Sequence, residues 1–139
     1  MEEQQLIIYV DGASRGNPGP AGVGAILTDE EGLYQEYLEY IGEATNNVAE
    51  YRALLLALRK ARLLYPRTVK VFSDSELLVK QLRGEYQVKN PRLLQLYRKV
   101  RTFLSSFSSF QIEHVKRERN WRADELANLA IDRALAGRD

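Results

Sequence analysis

Residues 5–12, QLIIYVDG, run apolar up to Asp11, the pattern of a central strand covered on both faces. GNPGP at 16–20 is turn chemistry, with Gly supplying positive φ and Pro a fixed one. Two more strands are predicted over 21–28 and 33–41, joined by a short hairpin connection at Asp29–Gly32. Thr45 or Asn46 can cap a long helix over about 47–64, which must end before Pro66. TVKVFS at 68–73 reads as another buried strand, followed by a helix over about 75–83 that stops near Gly84. Pro91 suits the first turn of a helix running to about 105. FQIEHVK at 110–116 is the last predicted strand, and 121–136 the last helix. This order predicts an α/β fold whose sheet has an antiparallel side and a parallel side. No repeat, linker or low-complexity segment interrupts it, so one domain is expected over 1–139.

Against this pattern, four acids stand where apolar side chains belong. Asp11 continues the face of Ile7 and Tyr9, and Asp74 follows the strand TVKVFS at its C-terminal edge. Parallel neighbours would bring both to the sheet edge where α/β folds place their sites. Glu50 shares a helical stripe with Leu54, Ala57, Ala61 and Leu64, and Asp124 one with Ala127, Ile131 and Leu135. Each acid has an ordinary explanation. Asp11 could be an Asp-Gly turn residue, Glu50 an arginine's ion-pair partner, Asp74 a helix N-cap and Asp124 a first-turn residue facing the helix dipole. Jointly these explanations weaken, because all four acids converge on one place. Like charges gathered there would repel unless one divalent cation, or two, neutralised them. All-oxygen ligation favours magnesium or manganese over zinc.

Composition and charge narrow the chemistry. The chain has 139 residues, 45% of them apolar and 28% charged, enough for one real core. With no cysteine and one histidine, His114, thiolate zinc sites, disulfide frameworks and Ser-His or Cys-His catalysis find little support. GNPGP also lacks the Gly-Lys-Ser/Thr of a phosphate-binding loop. The acidic start at residues 1–4 and the short apolar run after it suit neither a signal peptide nor a membrane span, so a cytoplasmic protein is expected. The net charge of +1 conceals a split: residues 1–50 hold ten acids and one base, residues 51–139 nine acids and nineteen bases. Either one surface meets a polyanion while another gathers carboxylates, or the two halves neutralise each other within the fold.

Four blocks now stand out in order and at suitable spacing: YVDGASRGNPGPAGVGAIL (9–27), ATNNVAEYRALLLAL (44–58), VFSDSELLVKQL (71–82) and ERNWRADELANLA (118–130). Through them the chain resembles type 1 ribonuclease H from about residue 5 to residue 135. The resemblance implies a ribonuclease H-like fold, a five-stranded mixed sheet of three antiparallel strands and two parallel additions, flanked by helices. It implies an endonuclease that hydrolyses the RNA strand of RNA–DNA hybrids with little sequence preference. Two magnesium or manganese ions would be held by Asp11, Glu50, Asp74 and Asp124, leaving 5′-phosphate and 3′-hydroxyl ends. Gly12, Asn17, Asn46 and Asn47 fall where the family touches the sugar edges of the RNA strand, and Thr45 where it helps hold a phosphate of the DNA strand. Helix capping is the structural alternative for Asn46 and Asn47. No membrane contact or obligate protein partner is expected.

Three departures mark this chain as a short form. No histidine lies between 115 and 124, the loop where many members carry one; His114 falls inside the predicted strand and reads as structural. GEYQVKNP at 84–91 is too short for the family's basic protrusion. Substrate grip is then expected from the helix bearing Arg92, Arg98, Lys99 and Arg101, and from Lys116, Arg117, Arg119 and Arg122. Both sets have a solvated helix face as their plain alternative. Glu76 stands where a glutamine is common, two residues beyond Asp74. Broader substrates, including double-stranded RNA or RNA–DNA junctions, fit the missing protrusion and altered loop. A non-catalytic hybrid-binding module would be expected to have lost one or more of the acids, and all four are present.

Overall fold

The computed structural model describes residues 5–137; the acidic start at 1–4 lies outside the described residues. The chain runs β1 (Gln5–Ser14), β2 (Gly19–Thr28), β3 (Tyr34–Ala44), α1 (Asn46–Arg62), β4 (Thr68–Ser73), α2 (Glu76–Leu82), α3 (Pro91–Leu104), β5 (Ser109–His114), a 3-10 turn (Arg117–Asn120) and α4 (Trp121–Ala136). The strands form one sheet in the order β3-β2-β1-β4-β5. β1 pairs antiparallel with β2 and β2 with β3, while β1–β4 and β4–β5 are parallel. The expected five-stranded mixed sheet is therefore present.

Local chemistry sets the helix boundaries. Thr45 caps α1, its hydroxyl oxygen accepting from the Val48 amide at 3.2 Å. Asn90 caps α3 ahead of Pro91, and Gly84 takes φ +79° just beyond α2. β3 runs three residues past the predicted 41, because a bulge opposite Ala21 and Gly22 absorbs Ile41, with Gly42 beside it at φ +76°, and pairing resumes. β5 ends at His114, two residues short of the prediction; Val115 still donates to the Ser73 carbonyl at 2.9 Å.

α1 covers one face of the sheet. Leu6, Ile8 and Val10 are fully buried there in one cluster with Ala49, Ala53, Leu54 and Ala57. α3 packs on α1, and α4 crosses the opposite face over β1, β2 and β3. Its approach to β2 is backbone-close: a Cβ on Gly24 would lie 2.4 Å from the Ala123 carbonyl oxygen, and one on Gly22 2.4 Å from that of Ala127. These two glycines hold the first half of α4, and with it Asp124, against the sheet.

The mutual-neutralisation reading of the charge split holds for part of the surface. Glu36 pairs with Arg122, Glu39 with Arg52 and Arg59, and Arg15 with Asp132, so acids and bases of the two halves do meet. No described helix is long and apolar enough to cross a membrane.

Candidate active site

Parallel pairing of β1 and β4 sets Val10 beside Ser73, so the next step along both strands brings Asp11 and Asp74 to the same sheet edge. Glu50 reaches them from α1 across Gly12. A Cβ on Gly12 would sit 2.2 Å from the carbonyl carbon of Ala49, so only glycine lets β1 and α1 meet backbone to backbone. The Gly12 amide uses that proximity to donate to Glu50 Oε1 at 2.7 Å. Carboxylate oxygens of Asp11, Glu50 and Asp74 all lie within 4.8 Å of one another. Asp124 enters from the first turn of α4, where its carboxylate faces that of Asp11 and its charge bears on both Asp11 and Glu50. Asn128 Nδ2 donates to Asp124 Oδ1 at 3.3 Å.

Most of the ordinary explanations for these acids fail. Asp11 lies within β1 and is 4% exposed. No ion pair with an arginine holds Glu50 among the described residues; Arg117 acts on it only as a nearby charge. Ser75, and not Asp74, caps α2, accepting from the Leu78 amide. Asp124 does occupy a first turn, as its own alternative supposed, yet it also faces Asp11.

Electrostatics register the crowding. Burial raises the Asp11 pKa well above the carboxylate range, and the charges of Glu50 and Asp74 and the contact with Asp124 raise it further. Burial likewise raises Glu50; the Gly12 amide pulls it back, while Asp74 and Asp124 push it up. Concentrated, oxygen-only and shielded, the cluster suits a hard divalent cation of the magnesium or manganese kind.

The rim brings several predicted residues together. Asn17 Oδ1 accepts from the Asn46 amide at 3.1 Å, and Asn46 Oδ1 accepts from the Ser14 amide at 3.1 Å. These bonds tie the 16–20 turn, the end of β1 and the start of α1 into one corner, with Thr45 and exposed Asn47 alongside. Capping falls to Thr45, so Asn46 is a tie between segments and not a cap. The Thr45 oxygen accepts in the cap, leaving its proton free to donate.

Ahead of α4, Lys116, Arg117 and Arg119 are exposed, and the Arg117 charge bears on Glu50. Arg122 does not join them. Its Nε and Nη2 donate to Glu36 at 2.5 and 2.7 Å, and Nη1 meets Glu125, so it braces α4 against β3. On α3, Arg92, Arg98, Lys99 and Arg101 are all exposed. Glu76 forms an ion pair with Lys80 at 3.1 Å and stays out of the carboxylate cluster. His114 lies within β5, as expected from the sequence, at the strand's exposed last position and in register with Ser73.

One residue escaped the sequence reading. Asn120, 1% exposed, ends the 3-10 turn and donates from Nδ2 to the Val10 carbonyl at 2.8 Å and to Asp74 Oδ2 at 3.4 Å. It sits in the polar run RERN, and both partners are remote in sequence, so periodicity offered no signal.

Comparison with known proteins agrees with this arrangement. Residues 9–130 match the family model described as reverse transcriptase-like. A bifunctional protein of Mycobacterium tuberculosis is 46% identical over 132 residues, covering 94% of this chain; the chain spans only 36% of that protein's length. Ribonuclease HI of Halobacterium salinarum is 45% identical over 127 residues, covering 91% of this chain and 64% of that protein. The crystal structure of LC11-RNase H1 in complex with RNA/DNA hybrid superposes with TM-score 0.89 at 46% identity, covering 94% of this chain and 99% of that one. Fold, acid cluster and relatives agree: this chain belongs to the type 1 ribonuclease H family.

Proposed function

We propose that this domain is a metal-dependent endonuclease that hydrolyses the RNA strand of RNA–DNA hybrids, with little sequence preference, leaving 5′-phosphate and 3′-hydroxyl ends. The convergence of Asp11, Glu50 and Asp74 within 4.8 Å carries the reading. A relative 46% identical having been solved with an RNA/DNA hybrid supports the substrate class. The three acids, with Asp124, would hold two magnesium or manganese ions. When bound, such ions supply charge neutralisation, activation of water and stabilisation of the leaving oxygen.

The chain's own residues do the rest. The Gly12 amide fixes the Glu50 carboxylate, so that acid arrives oriented. Gly12, Asn17, Asn46 and Asn47 offer short polar groups and backbone of the kind that reads a 2′-hydroxyl across a minor groove. The Thr45 hydroxyl donates to a phosphate of the DNA strand. Lys116, Arg117 and Arg119 attract the phosphate backbone without reading sequence.

Labelled RNA–DNA hybrid, double-stranded RNA, single-stranded RNA and duplex DNA, each with magnesium, manganese or chelator, test the proposal, with Asp74→Asn in parallel. The expected result is metal-dependent cleavage of the hybrid's RNA strand, lost by orders of magnitude in the variant. Cleavage of double-stranded RNA or of junction substrates at a comparable rate would broaden the substrate class. No cleavage of any substrate with either metal would overturn the enzyme reading in favour of a binding module.

A further inference from the structure

We infer that Asn120 is a positioning residue of the active site, whose single amide holds the Val10–Asp11 peptide and the Asp74 carboxylate in fixed relation. The inference rests on the proposed metal-dependent cleavage and deepens it. Asn120 occupies the N-cap position of α4, where asparagine normally accepts from the helix's own amides, yet it makes no capping bond. Its side chain turns inward instead and spends both Nδ2 protons on the site: one on the Val10 carbonyl, one on Asp74 Oδ2.

Both partners are acceptors, so the amide has one workable orientation; a flip would set oxygen against oxygen twice. Asn120 Oδ1 is buried and finds no partner among the described residues. The donor side of the amide is what the position needs.

The choice of residue follows from charge. A lysine or arginine could also donate to Asp74, but its positive charge would compete with a cation for the same carboxylates. An aspartate would match the shape and repel both acceptors. Asparagine orients an acid without neutralising it. The connection reaches further through the chain. Val10 precedes Asp11, Asp74 is bonded directly, and Asp124 lies one helical turn beyond Asn120 on α4, so one amide ties three of the four acids together.

The test compares Asn120→Ala, Asn120→Ser and Asn120→Asp with the wild type. Manganese binding is measured by calorimetry without substrate, kcat and KM on hybrid, and the folded fraction by circular dichroism below each melting point. Outer hydrogen bonds to metal-binding side chains typically contribute 10- to 100-fold to affinity or activity. Asn120→Ala should therefore weaken manganese binding and lower kcat by about that factor, with KM nearly unchanged because the substrate-gripping residues lie elsewhere. Asn120→Ser, keeping one donor, should recover part of the loss. Asn120→Asp should be the most impaired despite its matching shape; if it does not fold, the alanine and serine variants decide.

Folded Asn120→Ala with wild-type manganese affinity and kcat would overturn the inference and leave a purely structural tie. A wild type that neither binds manganese nor cleaves hybrid would instead sink the proposed function, so the two failures are distinguishable.

Discussion

Replacing Asp11 with asparagine should stabilise the metal-free protein while abolishing its turnover. Asp11 is 4% exposed, and burial, followed by the charges of Glu50 and Asp74, raises its pKa above the ordinary 3.8. The folded state then binds a proton more readily than the unfolded chain, so stability falls as pH climbs from about 3.8 toward the raised value. At pH 7 the interval from 3.8 is 3.2 pH units. At about 1.36 kcal/mol per unit it sets a ceiling of about 4 kcal/mol, however far above 7 the folded pKa lies. Glu50 shares the proton load, which brings the expected gain to roughly 2–4 kcal/mol, or about 6–15 °C in melting temperature for a domain of this size. Thermal melts in chelator at pH 4, 6 and 8 should show the variant ahead at pH 8 and level with the wild type near pH 4. Added manganese should raise the wild type far more than the variant, because the cation relieves the same repulsion. A variant melting at or below the wild type in chelator at pH 8, or a gap that does not change with pH, would refute the reasoning.

Four further outcomes follow from the geometry. Gly24→Ala should cost about 1–3 kcal/mol by urea denaturation and lower kcat, since the new Cβ meets the Ala123 carbonyl at 2.4 Å and must push Asp124's helix away; an unchanged midpoint would show that α4 yields freely. Arg122 and the Tyr34 hydroxyl hold the Glu36 pKa down to about 2 from 4.5, so its contribution is complete above about pH 4.5 and lost as pH falls toward 2. The stability gap between wild type and Glu36→Gln should close over that window, and a constant gap would count against the pairing. Replacing Lys116, Arg117 and Arg119 together with alanine should raise KM and flatten the salt dependence of hybrid binding, by about 0.9 in slope for each phosphate left unneutralised, with little change in kcat; an unaltered slope would put the grip elsewhere. His114→Ala should keep kcat within several-fold, whereas a drop of about a hundredfold or more would make it a proton-transfer residue.

Elements with strong local signals were readable in advance. The 68–73 strand and the 121–136 helix match their predicted limits, the first a short buried β-branched run, the second a helix with a steady apolar stripe. Errors gathered where pairing overrides pattern. β3 continues to Ala44 through a bulge that no alternation reveals, and β5 stops at His114 because β4, its only described partner, ends at Ser73. The four acids were legible because each interrupts an apolar face. Their individual roles were not, since telling a cap from an inward carboxylate needs the neighbour: Ser75 beside Asp74, or Gly12 beneath Glu50. Arg122 reads as part of a basic cluster until Glu36, 86 residues away, is seen to hold it. Asn120 was silent for the same reason, its partners lying 110 and 46 residues off.

The backbone contact at Gly12 limits how such a domain can diversify. Most pockets are lined by side chains, and each lining position is a dial that substitution can turn. Here the floor beneath the acids is main chain pressed on main chain, and any side chain would collide with Ala49 at 2.2 Å. No single substitution can retune that floor without separating α1 from β1 and carrying Glu50 away. Heritable variation is thereby channelled outward, to the asparagine corner and the basic rim, where residues are exposed and replaceable. Lineages built on this scaffold should differ in what they grip far more readily than in how they cut.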